Sequence, residues 1–383
     1  MKNFFIILLL FCHQTFAQHQ VQRIVLNGTD SSKLIAASVF INTSSIGTIT
    51  GDDGKFILRG INVTNFQLII SYVGFTPVSI NINPENINQF HIIKLFPRKR
   101  SLEDITIMPV DKNGWKKWGT QFTRLFIGTS YFAEDCKIEN PGVIRFYQNK
   151  KTGVLHAYSE TPITIRNKDL GYNIKYLLEN FTFDPKTRGM LYMGYSVYED
   201  LSKKNNNKMK KWIRNRHLVY AGSILHFIRA VYNNSVKTQG FDVRDKIRIY
   251  SGDSAFNQIY RGGNLAQFVK IHDTIYTVSV GFSDTAMKQA DYVDLIDTVE
   301  FSLKNLVKFD ASKSQKTFYF DNYLDVRYHT PPYKSEITLD TNEPLVIDES
   351  GLYFDPANLI TSGHWADQRM AETLPFDYVD KNE

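Results

Sequence analysis

The residues able to do chemistry are sparse, and their spacing is poor for it. A zinc hydrolase holds its metal with two His and a Glu and uses a Glu base. The local signature His-x-x-Glu is absent: none of the nine His residues has Glu three positions later. His364-x-x-Asp367 comes nearest, and a surface or core histidine is the plainer reading of it. No His-Glu-x-x-His occurs. Nucleophilic hydrolysis fares no better, because there is no Gly-x-Ser-x-Gly elbow. Ser223 with His226 lacks the third orienting group and the oxyanion hole that a triad needs. Cys136 sits in Glu134-Asp135-Cys136-Lys137, where two acids oppose a lowered thiol pKa. Two readings of it stand, a buried inert thiol and a reactive or intermolecular one. Asp52 and Asp53 are too few oxygens for calcium. Arg261-Gly262-Gly263 lacks the spacing of a phosphate loop. No catalytic residue, metal site or cofactor is assigned.

What remains is a stripe on one helix. Asn215 to Asn233 carries Ile224, Phe227, Ile228 and Val231 at the spacing of a buried face. Ser223, His226, Arg229 and Asn233 fall on a neighbouring polar stripe. That stripe lines a binding cleft, or it is a partly buried helix edge with satisfied hydrogen bonds. Just before it, Lys203 to Arg216 holds seven basic residues and no acid. Polyanion or headgroup binding is one reading of that run. A solvated loop, with Asn205-Asn206-Asn207 as a flexible excursion, is the other.

The elements that must position these residues are mostly strands. Aromatics are 14% of the chain, which favours β structure. Hydrophobic residues are 43%, enough for a sizeable core, and 22% charged argues against disorder. With 383 residues, one very large domain or two ordinary ones are expected. The formal charge of +6 is too mild to argue nucleic acid binding.

The N-terminus reads as a secretory leader. Lys2 is the charged region, Phe4 to Cys12 the apolar core, and Thr15-Phe16-Ala17 the cleavage site. The apolar run is shorter than the ~20 residues a membrane span needs. Cleavage would remove Cys12 and leave Cys136 without an internal disulfide partner.

Residues 18–96 show six or seven short strands with turn signals between them. Ala37 to Leu58 is the clearest stretch: Val39 and Ile41 alternate, Gly51-Asp52-Asp53-Gly54 reads as a tight hairpin turn, and Phe56 and Leu58 resume the alternation. Residues 97–110 read as a linker, beginning Pro97-Arg98-Lys99-Arg100. Residues 111–383 read as a larger β-rich α+β unit. It opens with an amphipathic helix over 115–127, and strands are expected over 143–147, 154–159, 163–165, 172–183 and 188–199. Further strands are expected over 246–250, 273–282, 298–309, 318–328 and 334–339, with a short helix at 365–372.

Ala37-Ser-Val-Phe-Ile41, Gly47-Thr-Ile-Thr50, Asp53-Gly54-Lys-Phe56 and Ile70-Ser-Tyr-Val-Gly-Phe75 together resemble the carboxypeptidase-regulatory-like domain. That resemblance implies a transthyretin-like (prealbumin-like) antiparallel β-sandwich. Such a module also begins many TonB-dependent outer-membrane receptors. The family shows Gly-Thr where this chain has Asn42-Thr43, and Asp where it has Gly51. Leu102-Glu-Asp-Ile-Thr-Ile107 resembles the segment that follows the domain in those receptors. No plug pattern follows here, the chain is short for such a barrel, and it ends Lys-Asn-Glu. The blocks Asn215 to Ala230 and Gly363 to Pro375 resemble the uncharacterised C-terminal region of short secreted proteins with this domain. The resemblance brings no activity with it.

The expectation is therefore a mainly β, exported, periplasmic or outer-membrane-associated protein of a Gram-negative-type cell. It would be a non-catalytic binding or accessory protein whose partner is an envelope protein, a peptide or a glycan. Strand addition at a sandwich edge is a physical route to such a partner. No nucleic acid partner and no transmembrane segment in the mature chain are expected. The alternative is a hydrolase of unknown class built on Cys136, His226, Arg229 and His364.

Overall fold

A computed structural model describes residues 19–61, 63, 65–89, 92–98, 110–204, 206–261, 264–265, 267–281, 291–311 and 315–380. The leader, residues 99–109 of the linker and Gly262-Gly263 lie outside the described residues. The fold is mainly β, with 44% strand against 19% helix.

Seven strands build the front of the chain: β1 (His19–Asn27), β2 (Ser38–Ile41), β3 (Gly47–Ile49), β4 (Lys55–Ile61), β5 (Phe66–Ser71), β6 (Val78–Ile82) and β7 (Ile92–Leu95). They form two sheets, ordered β4-β1-β7 and β3-β2-β5-β6. Alternation buries Val39, Ile41, Phe56, Leu58, Leu68 and Ile70 between them, as a period of two demands. All pairs are antiparallel except β1 with β7. The Gly51–Gly54 turn is a correction to the hairpin reading. β3 pairs with β2 and β4 with β1, so the turn carries the chain from one sheet to the other. Its chemistry is local: Asp53 Oδ1 accepts from Lys55 N at 2.9 Å, and Gly54 takes a φ of 73°.

Beyond the sandwich come two larger sheets, termed the second and third; the second is built from β8 (Cys136–Ile138), β9 (Ile144–Gln148), β10 (Leu155–Ser159), β11 (Ile163–Asn167), β12 (Tyr172–Phe183) and β13 (Met190–Asp200). Helix α1 (Gly114–Phe126) packs Phe122 and Phe126 into its core, with Trp118 and Leu125 flanking them. A third sheet has seven antiparallel strands, ordered 268–271, 274–281, 292–297, β14 (Phe241–Tyr250), 323–329, 332–339 and 359–363. Several expectations fail in this part of the chain. The strand expected over 318–328 is two, Gln315–Phe318 and Tyr323–His329, and the helix expected at 365–372 is a helical turn at His364–Asp367 followed by a 3-10 turn at Met370–Glu372. Only Val307–Asp310 of 298–309 is strand, because a 3-10 turn at Leu303–Asn305 interrupts it. The strand Tyr292–Asp297 is not among the expected ones, although it lies inside the sheet between β14 and 274–281.

The expected single helix over 215–233 is two. Helix α2 (Met209–Tyr220) begins inside the basic run read as a solvated loop, and α3 (Ile224–Tyr232) follows a break at Ala221-Gly222. Gly222 takes a φ of 76°, and a Cβ there would lie 2.6 Å from the Tyr328 ring. Only glycine meets both demands cheaply. Ser223 then caps α3, its Oγ accepting from His226 N at 3.1 Å. Among the described residues, no helix is long and apolar enough to cross a membrane.

Candidate functional site

The basic run is structural where it becomes helical. Arg216 is buried and forks onto Asp200 with bonds of 2.8 and 3.0 Å. It also donates to Leu170 O and Gly171 O, and its guanidinium lies 3.9 Å from the Tyr172 ring centroid. Lys211 pairs with buried Asp169 at 2.5 Å, and Trp212 Nε1 donates to Lys168 O. These bonds pin α2 to the second sheet and commit Lys211 and Arg216 to structure, while Lys208, Lys210 and Arg214 of the run are exposed.

Three of the four stripe residues meet in one cavity of about 390 Å³. His226, Arg229 and Asn233 line it from α3, while Ser223 is committed to the cap. Gln239, Glu349 and Ser350 form another wall, and the tail residues 376–380 close the cavity. Val63 reaches it from the sandwich. Both ring nitrogens of His226 are engaged: Gly222 N–H meets Nδ1 at 3.2 Å, and Nε2 meets Gln239 Oε1 at 3.0 Å. The ring stacks on Tyr220. Arg229 donates from Nε to Ser350 O, and from Nη2 to Phe376 O and Tyr378 O, each at 2.9 Å. Its guanidinium therefore holds main chain together at the cavity edge.

The other candidates lie elsewhere. Cys136 is a free thiol in the core of the second sheet. Burial, with Asp169 nearby, pushes its pKa up to about 12. His364 stacks on Tyr333 at 3.7 Å and does not line the cavity. Burial lowers its pKa, and Asp367 opposes that. Only His226 and Arg229 of the four hydrolase candidates come together. Among the described residues, no group of three His, Cys, Asp or Glu is placed to hold a metal ion.

The cavity stands where three segments join. The loop after β2 docks on β13: Thr43 N donates to Ser196 O, Tyr198 N to Ser44 O, and Ser196 N to Asn42 Oδ1. Asn42 Nδ2 meanwhile donates to Gln67 Oε1 within the sandwich. The next residue, Ser45, donates its N–H to Asp377 Oδ1 at 2.8 Å and its hydroxyl to Oδ2. Thus Asn42, where the carboxypeptidase-regulatory-like pattern has glycine, ties the sandwich to the second sheet through a side chain that glycine lacks.

Residues 24–107 match the family model described as CarboxypepD_reg-like domain. The match covers under a quarter of the 383-residue chain, spanning the sandwich and the start of the segment after it. Comparison with curated proteins returns no match.

Sequence reasoning missed one polar constellation altogether. On one face of the third sheet, Lys246 Nζ lies 2.6 Å from both Asp294 Oδ2 and Glu336 Oε1. Arg248 Nε and Nη2 meet Asp294 at 2.7 and 2.9 Å, and its guanidinium lies between the rings of Tyr292 and Tyr323. Lys246 is fully buried. The signal was present in the alternation Asp242, Arg244, Lys246, Arg248 along one strand face. Its charges neutralise one another, so it reads as a tie across the sheet rather than an open site.

Proposed function

We propose that this is an exported cell-envelope protein that binds a partner without catalysis, in the periplasm or at the outer membrane of a Gram-negative-type cell. In this reading residues 1–17 are a cleaved leader, 18–96 the regulatory-like sandwich, 97–110 a linker and 111–383 the ligand-binding unit. The partner is an envelope protein, a peptide or a glycan. One observation carries the reading: the cavity lies where α3, the tail and the sandwich meet, and its His and Arg are spent on structure. A site of that kind selects by shape and hydrogen bonding rather than by proton transfer. The regulatory-like domain fits the same role, since its loop fixes the cavity wall. The hydrolase alternative loses its basis, because Cys136 and His364 do not reach the cavity.

The test has two arms. Fractionation of the native cell with N-terminal sequencing should recover a chain beginning at Gln18 in the envelope. Crosslinking capture from that envelope should enrich a partner with the wild-type protein and lose it with Asn233→Arg, which fills the cavity. A chain retained in the cytosol with residues 1–17 attached sinks the export claim. Identical partners for both proteins sink the cavity claim.

A further inference from the structure

The tail Pro375–Asp380 runs between two cavities. Asp377, Tyr378 and Val379 line the 390 Å³ cavity on one side and a second of about 220 Å³ on the other. The tail has no strand ladder. It is held as a bound peptide would be. Its main chain is gripped without regard to sequence: Phe376 N donates to Thr43 O, and Arg229 takes Phe376 O and Tyr378 O. Its side chains occupy distinct seats. The Asp377 carboxylate receives the Ser45 N–H and hydroxyl. The Tyr378 ring packs 5.5 Å from Tyr220, and Asp380 Oδ2 meets His217 Nδ1 at 2.6 Å. Val379, between the seats, is 69% exposed. Main-chain grips supply affinity and side-chain seats supply selectivity in peptide recognition, and here they hold a turn in which Tyr378 N donates to Pro375 O at 2.9 Å. Open space lies on both flanks of the tail, while Leu374 and Tyr378 pack into the core of the second sheet.

We propose that the two cavities are one peptide groove, occupied in cis by the chain's own tail, and that its partner in trans is a segment with the pattern Asp-Tyr-x-Asp that takes the same turn. This deepens the binding reading given above and rests on it. A tethered tail acts at an effective concentration of order millimolar. A trans peptide of ~10 μM intrinsic affinity is then weakened roughly a hundredfold by cis competition. Loosening the tail releases that competition while leaving the groove intact.

The probe is a labelled synthetic peptide with the sequence of residues 373–380, titrated against the full chain. Asp377→Ala should bind it at least tenfold more tightly than wild type, because the peptide brings its own carboxylate to Ser45. A peptide with Ala at the place of Asp377 should lose that gain. A folded Asp377→Ala protein that binds the peptide no better than wild type overturns the proposal. So does a gain that survives the Ala peptide. Wild-type protein gives an arm that no folding defect can mask. At millimolar peptide, hydrogen exchange of the Phe376 amide, which donates to Thr43 O, should quicken while Ser45 N–H stays protected. Unchanged exchange overturns the groove. A partner captured in the crosslinking experiment despite that result leaves the wider binding reading standing, so the two failures are distinguishable.

Discussion

Asp348 offers the sharpest quantitative test of how this fold treats a buried charge. Its side chain is 1% exposed, in the turn that presents Glu349 and Ser350 to the cavity. Oδ1 accepts from Ser350 N, Ser350 Oγ and Leu352 N at 2.9, 2.7 and 3.1 Å. Oδ2 has no hydrogen-bond partner among the described residues. Burial pushes the pKa from an ordinary 3.8 up to about 6, against the lowering effect of the Ser350 and Leu352 bonds. The folded state then holds its proton more tightly than the unfolded chain. Stability from this group is intact below about pH 4, falls as pH rises through the window to about 6, and stays reduced above it. At about 1.4 kcal/mol per pH unit, ionisation costs the folded state about 3 kcal/mol at pH 7. Asp348→Asn keeps the Oδ1 acceptor and removes the charge, but it places an unpaired amide where Oδ2 sits. That offset costs ~1–2 kcal/mol, so the variant should gain about 1–2 kcal/mol over wild type at pH 7. At pH 4 the gain should vanish or reverse. Urea melts of both proteins at pH 4, 5, 6 and 7 measure the difference, in which other titrating groups cancel. A difference that is flat across that range would refute the assignment of the charge cost to Asp348.

The remaining predictions concern the helical region and the thiol. Arg216→Leu strands Asp200 and frees two carbonyls, and because Asp200 keeps some water the cost should be at the lower end, about 3 kcal/mol, read as a lower urea midpoint. Arg216→Lys should recover only part of that, since one ammonium cannot reproduce the fork. Gly222→Ala combines a left-handed backbone with a Cβ against Tyr328 and should cost about 2–4 kcal/mol in the same melts. With a thiol pKa near 12, Cys136 at pH 8 carries roughly one thiolate in ten thousand molecules. Maleimide should label it only after denaturant is added, and rapid labelling of the native protein would show that the site is open.

Several features were legible from local pattern alone. Strands of the sandwich follow from alternation that needs no distant partner to be seen, and the bounds of β12 match the expected 172–183, where Tyr172, Ile174, Tyr176 and Leu178 alternate. Helix α1 was equally plain, as Phe122 and Phe126 sit one turn apart on one face. Where the reading failed, geometry between distant segments decided. The Gly51–Gly54 turn looks the same whether its strands pair with each other or with β1 and β2, and only sheet order distinguishes those cases. The helix 215–233 breaks at Gly222-Ser223, a positive-φ glycine followed by a helix cap that the sequence does carry, whereas the Tyr328 ring packed against Gly222 is visible only in the fold.

Sequence by itself determined the β character, the identity of the front module and the residues on the α3 stripe, because these rest on periodicity and turn chemistry within a few residues. Only tertiary structure decided what those residues do. It paired Lys211 and Arg216 of the basic run with Asp169 and Asp200, closed both nitrogens of His226, and brought Ser45 and Arg229 onto the tail at 376–378. Hydrogen-bond partners hundreds of residues apart leave no trace in local spacing, so the site could be named from the sequence but not understood from it.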